Sequence, residues 1–315
     1  MNFNQRTIKN ITTFKGIGLH SGNITSVKLI PASANTGVVF RRTDLNLEQE
    51  KRVSYDSITD TTLCTCFSIN DKIKVNTIEH FMAALSLLGI DNIIVELDNE
   101  EFPIMDGSAI AFIYLLRDIG ITELNKPKKF LRIKKTIRTT IDDKIVEFSP
   151  SEDLALNVDY EIDFDNAYIK KTNQKLSMNL FSPQAIDDIC RARTFGFMKD
   201  IEIMRSMGLG KGGSTSNAII VDDYKIINDS PLRYDDEFVR HKMLDLVGDL
   251  YVSGYHIIGN IKVFKGGHNI NNKSLFDLFS AKENYSIIEI ESDNEVEHIH
   301  QEGLGSFEKH FGFSW

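Results

Sequence analysis

Residues 77–97 read TIEHFMAALSLLGIDNIIVEL, and this stretch predicts a helix followed directly by a buried strand. Apolar residues recur at helical spacing through its first part, which predicts a helix that Thr77 caps and Gly89 ends. The run NIIVEL at 92–97 is short, apolar and rich in β-branched residues, as buried strands are. The stretch therefore predicts a helix that packs on a sheet.

The same order, strands first and helices second, occurs twice along the chain. Short alternating segments from Arg6 to about Asp60 predict strands before this helix, and a second helix is expected from about Ala109 to Ile119. In the second half, residues 130–150 predict a hairpin that turns at Asp142 and Asp143. An alternating strand follows at 154–164, another is expected at 218–221, and helices are expected near 182–192, 200–207, 235–253 and 274–280.

Two α+β domains of similar plan follow from this order. We place the N-terminal domain at 1–126 and the C-terminal domain at 127–315, with NKPKK at 125–129 as the link. The acidic stretch from 289 to 302 predicts a solvated surface or a frayed tail.

The composition argues against a nucleic-acid-binding protein. The 315 residues are 42% hydrophobic and 26% charged, which is typical of an ordinary globular protein. Lys and Arg number 36 against 45 Asp and Glu, so the net charge is −9. Because nucleic-acid affinity depends on clustered cations, we expect no nucleic-acid partner.

Membrane and export signals are also missing from the sequence. The N-terminus has no apolar signal region, and the longest apolar stretch, residues 109–116, falls far short of the roughly 20 residues that a bilayer requires. Cys64, Cys66 and Cys190 match no zinc-ribbon spacing and fit free thiols in a reducing compartment. We therefore expect a cytoplasmic protein without a transmembrane segment.

Polar side chains in two apolar helices suggest a metal site. In HKMLDLVGDL at 241–250, Asp245 lies roughly 40° from His241 around the helix and Asp249 roughly 80°. An isolated H-x-x-x-D is more often a salt-bridged helix face. With His80 from the other helix, however, His241 and Asp245 supply the two imidazoles and one carboxylate of a catalytic divalent-metal site.

Glu79 and His268 would complete a hydrolytic site. Glu79, next to His80, could act as general base on a metal-activated water, and it also fits a capping box with Thr77 or Asn76. His268 follows two glycines on a predicted loop. It is either an exposed loop histidine or an imidazolium, oriented by Asp249, that stabilises an oxyanion and protonates a leaving amine.

Two other functions fit part of this pattern. Two histidines and a carboxylate also describe the facial triad of non-haem Fe(II) oxygenases, although a general base beside the metal favours hydrolysis by zinc. A non-catalytic sugar-nucleotide or lipid-binding protein with a structural metal would leave Glu79 and His268 without a role.

Long motifs occur in a specific order through nearly the whole chain: GIGLHSG at 16–22, LCTC at 63–66, TIEH at 77–80, PIMDGSA at 103–109, RARTFGFM at 191–198, VDDY at 221–224, FVRHKMLDLVGDL at 238–250 and FKGGH at 264–268. Together they closely resemble the zinc-dependent UDP-3-O-acyl-N-acetylglucosamine deacetylases of lipid A synthesis. The resemblance implies hydrolysis of an N-acetyl group on an acylated UDP-sugar, with Zn²⁺ as cofactor and Fe²⁺ possible in the same site. It further implies two similar β-α-α-β sandwich domains, each with a small insert, and an active site between them.

The resemblance also assigns residues to roles. Zinc would be bound by His80, His241 and Asp245. Catalysis would use Glu79 as base, His268 as cationic acid held by Asp249, and Thr194 at the oxyanion. Substrate contacts would come from Lys242 and Phe195 at the sugar and acyl region, Asp163 and Phe164 at the uridine, and Met198, Ile201 and Ile220 in an apolar acyl passage formed by the insert near 193–222. An acyl-bearing substrate suggests work close to a membrane surface.

Overall fold

The computed structural model describes residues 3–45 and 49–290. Within these ranges the helices are α1 (Glu79–Leu88), α2 (Ile110–Asp118), α3 (Ala185–Ile189), α4 (Met198–Ser206), α5 (Glu237–Tyr251) and α6 (His268–Phe279). The strands of the first half are β1 (Asn4–Ile8), β2 (Thr12–Ile17), β3 (Ile24–Pro31), β4 (Val38–Arg42), β5 (Gln49–Arg52), β6 (Ile58–Asp60), β7 (Cys66–Asn70), β8 (Ile73–Val75), β9 (Ile93–Leu97) and β10 (Ile121–Pro127). Those of the second half are β11 (Lys129–Ile133), β12 (Ile137–Ile141), β13 (Lys144–Ser149), β14 (Leu156–Glu161), β15 (Lys175–Asn179), β16 (Phe195–Phe197), β17 (Ile219–Val221), β18 (His256–Phe264) and β19 (Tyr285–Glu289).

Each half of the chain builds one large sheet. The first has the strand order β2-β3-β9-β4-β5, in which only the β4–β9 pair is parallel. The second is organised around β18, which pairs in parallel with β11 and β14 and antiparallel with β13. The predicted hairpin is confirmed as β12 and β13, with Asp142 in the turn at a φ of 53°.

Helices α1, α2, α5 and α6 pack against one another and against the large sheets. Helix α1 packs along α5, while α6 lies against β12 and β13. On the other side, Phe14 of β2 lies 6.1 Å from Phe112 of α2, measured between ring centroids. The main apolar cluster includes residues of both halves, such as Phe81 and Phe238. The α+β fold class is therefore confirmed, and it places α1 and α5 at the centre.

Three local predictions were wrong or incomplete. Thr77 does not cap α1: its φ is 60°, and its hydroxyl donates to the buried carboxylate of Glu101 at 3.1 Å. Glu79 forms no capping box, because its carboxylate accepts a hydrogen bond from another segment. The last helix, α6, begins at His268 instead of residue 274. The end of α1 at Gly89, with a φ of 65°, is confirmed.

The stretch at 125–129, expected as the interdomain link, lies mostly in strands. Residues 121–127 form β10, paired with β1, and β11 begins at Lys129. Lys128, between the two strands, is buried and donates to Asp91 at 2.7 Å and to the carbonyl of Gly89 at 2.9 Å. The polar composition of this stretch thus reflects paired strands and a buried ion pair.

None of the helices in the described ranges is both long and apolar enough to cross a membrane. The acidic stretch predicted as a surface or tail lies outside the described residues from 291 onward.

Candidate active site

A close crossing of α1 and α5 brings the candidate catalytic residues together. A methyl group on Gly248 would lie 2.0 Å from the carbonyl oxygen of Glu79, a distance that no real contact shows. Glycine at 248 therefore lets the backbone of α5 touch the first turn of α1. This contact sets the start of α1, with Glu79 and His80, against the middle of α5.

The predicted metal ligands form one cluster at this crossing. One ligand atom each from His80, His241 and Asp245 lies within 4.8 Å of the others, and all three side chains are buried. Oδ1 of Asp245 is 3.4 Å from Nε2 of His80 and 3.2 Å from Nε2 of His241. Even so, this oxygen makes no hydrogen bond within the described part of the chain. Two imidazole nitrogens thus converge on a carboxylate oxygen that has no hydrogen-bond partner in this part of the chain. This set of donor atoms is suited to binding a divalent cation.

Neighbouring groups hold two of these ligands, His241 and Asp245, in the form that binds metal. Nδ1 of His241 lies 3.1 Å from the carbonyl oxygen of Ala192, so Nδ1 carries the proton and Nε2 keeps its lone pair. Burial lowers the pKa of His241 to about 3, which keeps the ring neutral. Burial alone would raise the pKa of Asp245, but His241 and Lys242 beside it hold that pKa well below its usual range. Lys242 donates to Oδ2 of Asp245 at 2.6 Å.

Glu79 sits beside this cluster with its carboxylate oriented by a loop. Its Oε2 accepts the backbone N–H of Thr65 at 3.0 Å. Burial is the main cause that raises the pKa of Glu79, and His268 and His80 oppose it. A carboxylate with a raised pKa that still has a donor for its ionised form suits a general base.

His268 is the first residue of α6, so the prediction that it lies on a loop was wrong. Its Nδ1 donates to Oδ2 of Asp249 at 2.9 Å, and its Nε2 lies 4.0 Å from Oε1 of Glu79. Burial alone would lower the pKa of His268, but the charge and hydrogen bond of Asp249 outweigh it and raise the pKa to about 9. The ring is therefore an imidazolium at neutral pH.

Sequence reasoning missed two residues that hold Asp249. The hydroxyl of Thr65 donates to Oδ1 at 2.5 Å, and the side-chain amide of Asn271 donates to Oδ2 at 2.8 Å. Thr65 lies within the LCTC motif, which was the available signal, but no chemistry in that motif points to a catalytic centre on its own.

The segment RARTF, residues 191–195, makes its main contacts with α5. The carbonyl of Ala192 orients His241, and the guanidinium of Arg193 makes two hydrogen bonds, of 2.8 and 3.1 Å, to the buried carboxylate of Glu237 on α5. Thr194 is anchored through its N–H to the carbonyl of Gly107 at 2.7 Å. This bond anchors the expected oxyanion residue to the PIMDGSA segment.

Phe195, the next residue, contacts the metal cluster through His241. Its ring centroid lies 6.1 Å from that of His241 and 5.4 Å from that of Phe164. Phe164 thus joins the site through Phe195. Asp163 is half exposed and pairs with Lys265 at 2.9 Å.

An apolar cavity opens beside Thr194. It is lined by Leu19, Thr194, Phe195, Gly196, Ile201, Met204, Arg205, Gly210, Gly213, Ala218 and Ile220. Ile201 and Ile220, two of the residues expected in an acyl passage, line this cavity, whereas Met198 is 42% exposed and is not among the lining residues.

The GIGLHSG segment closes this cavity from the N-terminal half. Backbone N–H groups of Lys211 and Gly212 donate to the carbonyls of His20 and Leu19 at 3.2 and 3.1 Å. His20 is buried, and its own N–H donates to Glu101 at 2.8 Å. Burial is the main cause that lowers the pKa of His20.

Comparisons with known proteins show which family the chain resembles. The family model described as LpxC, UDP-3-O-acyl N-acetylglycosamine deacetylase, matches residues 5–280. The UDP-3-O-acyl-N-acetylglucosamine deacetylase of Colwellia psychrerythraea strain 34H is 47% identical over 289 residues, which are 92% of this chain and 94% of that protein. The protein of the same name from Histophilus somni strain 129Pt is 49% identical over 292 residues, covering 93% and 95% of the two chains.

Proposed function

The chain belongs to the UDP-3-O-acyl N-acetylglycosamine deacetylase family, and we propose that the α1–α5 site carries out the family's reaction. The reaction is hydrolysis of the N-acetyl group of UDP-3-O-acyl-N-acetylglucosamine, a step of lipid A biosynthesis, giving UDP-3-O-acyl-glucosamine and acetate. One observation carries the assignment to this site: a buried His80–His241–Asp245 cluster lies beside a carboxylate and an imidazolium whose nearest atoms are 4.0 Å apart.

The metal held by this cluster is proposed to be Zn²⁺, with Fe²⁺ able to use the same ligands. Two neutral imidazoles and one carboxylate suit zinc in a catalytic site, where the protein supplies three ligands. When bound, such a cation supplies a Lewis acid and a water whose pKa is lowered to about 7. The unbonded Oδ1 of Asp245 and the fixed tautomer of His241 support this ligand set.

Glu79 and His268 divide the proton transfers between them. Glu79 takes a proton from the attacking water as the water oxygen bonds to the acetyl carbon. The tetrahedral oxyanion that forms needs donors, and Thr194 is proposed to supply one of them. His268 then gives its Nε2 proton to the amine nitrogen as the C–N bond breaks. Because the pKa of His268 is about 9, it enters the reaction already protonated.

Further roles follow from position. Lys242, adjacent to Asp245, and Phe195, against His241, are proposed to contact the sugar and the start of the acyl chain. Ile201 and Ile220 are proposed to line the acyl passage, with Met198 at its exposed edge. We propose Asp163 and Phe164 as the uridine contacts, and residues 1–126 and 127–315 as the two domains that meet at the site.

We propose that a lipid surface surrounds the part of the acyl chain that lies outside the passage. Ile203 and Met207, on and just after α4, are 60% and 64% exposed beside the cavity that Ile201 lines. Vesicles of phosphatidylglycerol should retain the protein in a flotation assay, and an Ile203→Ser, Met207→Ser variant should be retained less. Equal retention of both proteins would contradict this contact.

We also propose that the protein works in the cytoplasm. Its three cysteines are buried free thiols, which are typical of a reducing compartment. Fractionation of cells that express the chain would test the location.

The function is tested by metal content and turnover on UDP-3-O-acyl-N-acetylglucosamine. His241→Ala should lose both bound zinc and activity, whereas Glu79→Gln should keep the zinc and lose turnover by at least 100-fold. Glu147→Gln, which removes a carboxylate from the solvent-facing pair with Arg138, serves as the matched control and should behave as the parent. A parent protein that binds zinc without deacetylating the substrate would contradict the proposal.

A further inference from the structure

The loop between β6 and β7 reaches into the catalytic centre through one residue, Thr65. This residue is 2% exposed. Its backbone N–H donates to Oε2 of Glu79 at 3.0 Å, and its hydroxyl donates to Oδ1 of Asp249 at 2.5 Å. The hydroxyl oxygen also lies 3.4 Å from Nδ1 of His268. A single residue therefore contacts both the proposed base and the group that holds the proposed acid.

The hydrogen bonds around Asp249 show what the hydroxyl contributes. Oδ2 of Asp249 accepts from Nδ1 of His268 at 2.9 Å and from the amide of Asn271 at 2.8 Å. Both of these donors come from α6, on one side of the carboxylate. Thr65 supplies the hydrogen bond to Oδ1, from the N-terminal half of the chain. The carboxylate plane, and with it the direction of the His268 ring, is fixed only when both oxygens are held.

The loop is itself well anchored, so it can act as a fixed reference. Its neighbours Cys64 and Cys66 are buried, and the carbonyl of Thr65 accepts the N–H of Ile78 at the start of α1. The N–H and the hydroxyl of Thr65 consequently keep a constant spacing between α1 and the Asp249–His268 pair.

We propose that Thr65 is a positioning residue that sets the general base and the general acid relative to each other. The inference rests on the proposed function, because it assigns Thr65 a part in the same reaction. The backbone N–H orients Glu79 in every variant, so the side chain can be tested separately through its bond to Asp249. Loss of the hydroxyl leaves Oδ1 of Asp249 buried without that donor and frees the His268 ring to turn away from the leaving amine.

The test uses the zinc-loaded, full-length protein and three substitutions. Thr65→Val removes the hydroxyl and keeps the shape, and Thr65→Ser keeps the hydroxyl. Thr139→Val is the matched control, because the buried Thr139 makes an equivalent bond to Asp277 at 2.7 Å away from the site. We would measure kcat, KM, zinc content and the melting temperature of each.

Thr65→Val should lower kcat by about 10- to 100-fold, as loss of a supporting hydrogen bond does at comparable sites, with KM changed less than threefold and zinc retained. Thr65→Ser should stay within about threefold of the parent, and Thr139→Val should keep the parent's kcat. A purely structural hydroxyl would instead lower the melting temperature and leave the kcat of the folded protein unchanged, which would overturn the inference.

Three further outcomes are decisive. If Thr65→Val does not fold, Thr65→Ala takes its place, and an Ala variant as active as the Ser variant overturns the inference. A parent without deacetylase activity overturns the proposed function and the inference together, whereas an active parent with a fully active Thr65→Val overturns only the inference.

Discussion

Gly248→Ala tests the claim that the crossing of α1 and α5 positions the catalytic base. The new methyl would lie 2.0 Å from the carbonyl oxygen of Glu79, and Cβ contacts below 3.0 Å essentially do not occur. The two helices must therefore separate locally by about 1 Å, since the atom in conflict is backbone oxygen and has no rotamer to change. The displaced turn carries both Glu79 and His80.

The added methyl group has two opposing effects on the free energy of unfolding. Alanine in a helix interior gains about 1 kcal/mol over glycine, whereas overpacking of this kind costs about 1–3 kcal/mol. The net loss of about 0–2 kcal/mol should lower the melting temperature by at most about 4 °C in thermal unfolding. The effect on rate should be larger, because displacement of a catalytic group by about 1 Å can cost 100-fold.

The assay is steady-state turnover of the zinc-loaded variant, with zinc content measured on the same sample. Gly267→Ala is the control: it also adds a methyl group beside a catalytic residue, but nothing lies within 4 Å of that position and its φ of −179° suits any residue. We expect kcat to fall about 100-fold in Gly248→Ala and to change little in Gly267→Ala. A Gly248→Ala protein that melts higher than the parent and keeps its kcat would refute the reasoning.

Two further predictions concern charged pairs. In Asp249→Asn, His268 keeps its burial but loses its main stabilising partner, so its pKa should fall from about 9 to 6.5 or below. Because the acid form is lost as pH rises through that pKa, the alkaline limb of kcat/KM should move down by at least about 2.5 pH units, and a limb that stays near 9 would contradict the role of Asp249. Glu237→Gln leaves the buried guanidinium of Arg193 without its countercharge and should cost about 3 kcal/mol in chemical unfolding. The exposed-pair variant Glu147→Gln should cost less than about 1 kcal/mol, and equal losses in the two variants would be inconsistent with burial as the cause.

The sequence predicts the parts of this molecule that depend on regular periods. The α+β class and the β12–β13 hairpin follow from alternation and turn residues, and the structure confirms both. The clustering of His241, Asp245 and Asp249 follows from the helical period alone. Only the partner helix has to be guessed, and the polar pair Glu79–His80 in an otherwise apolar helix identifies it.

Errors arose where a distant segment competes with a local signal. Thr77 is a residue type that often caps helices, yet its hydroxyl donates a hydrogen bond to Glu101, which is 24 residues away. Likewise, glycines before His268 suggest a loop, but they end where α6 begins, and the bond to Asp249 holds that first residue. No local pattern contains Glu101, so the bond of Thr77 could not be derived from spacing. The sequence suggests the partnership of His268 with Asp249, but it does not place the start of α6 at His268.

The division between predictable and unpredictable parts has a physical basis in α5. Successive residues at i, i+4 and i+8 lie about 6 Å apart along a helix, so His241, Asp245 and Asp249 set the distance from the metal ligands to the holder of His268 before any tertiary contact forms. What the helix cannot set is the orientation of Asp249 about its own side chain. That orientation depends on hydrogen bonds from Thr65 and Asn271, which come from a loop and from another helix. The distances between these groups are thus set by one helix, whereas the orientation of Asp249 depends on contacts from other parts of the fold.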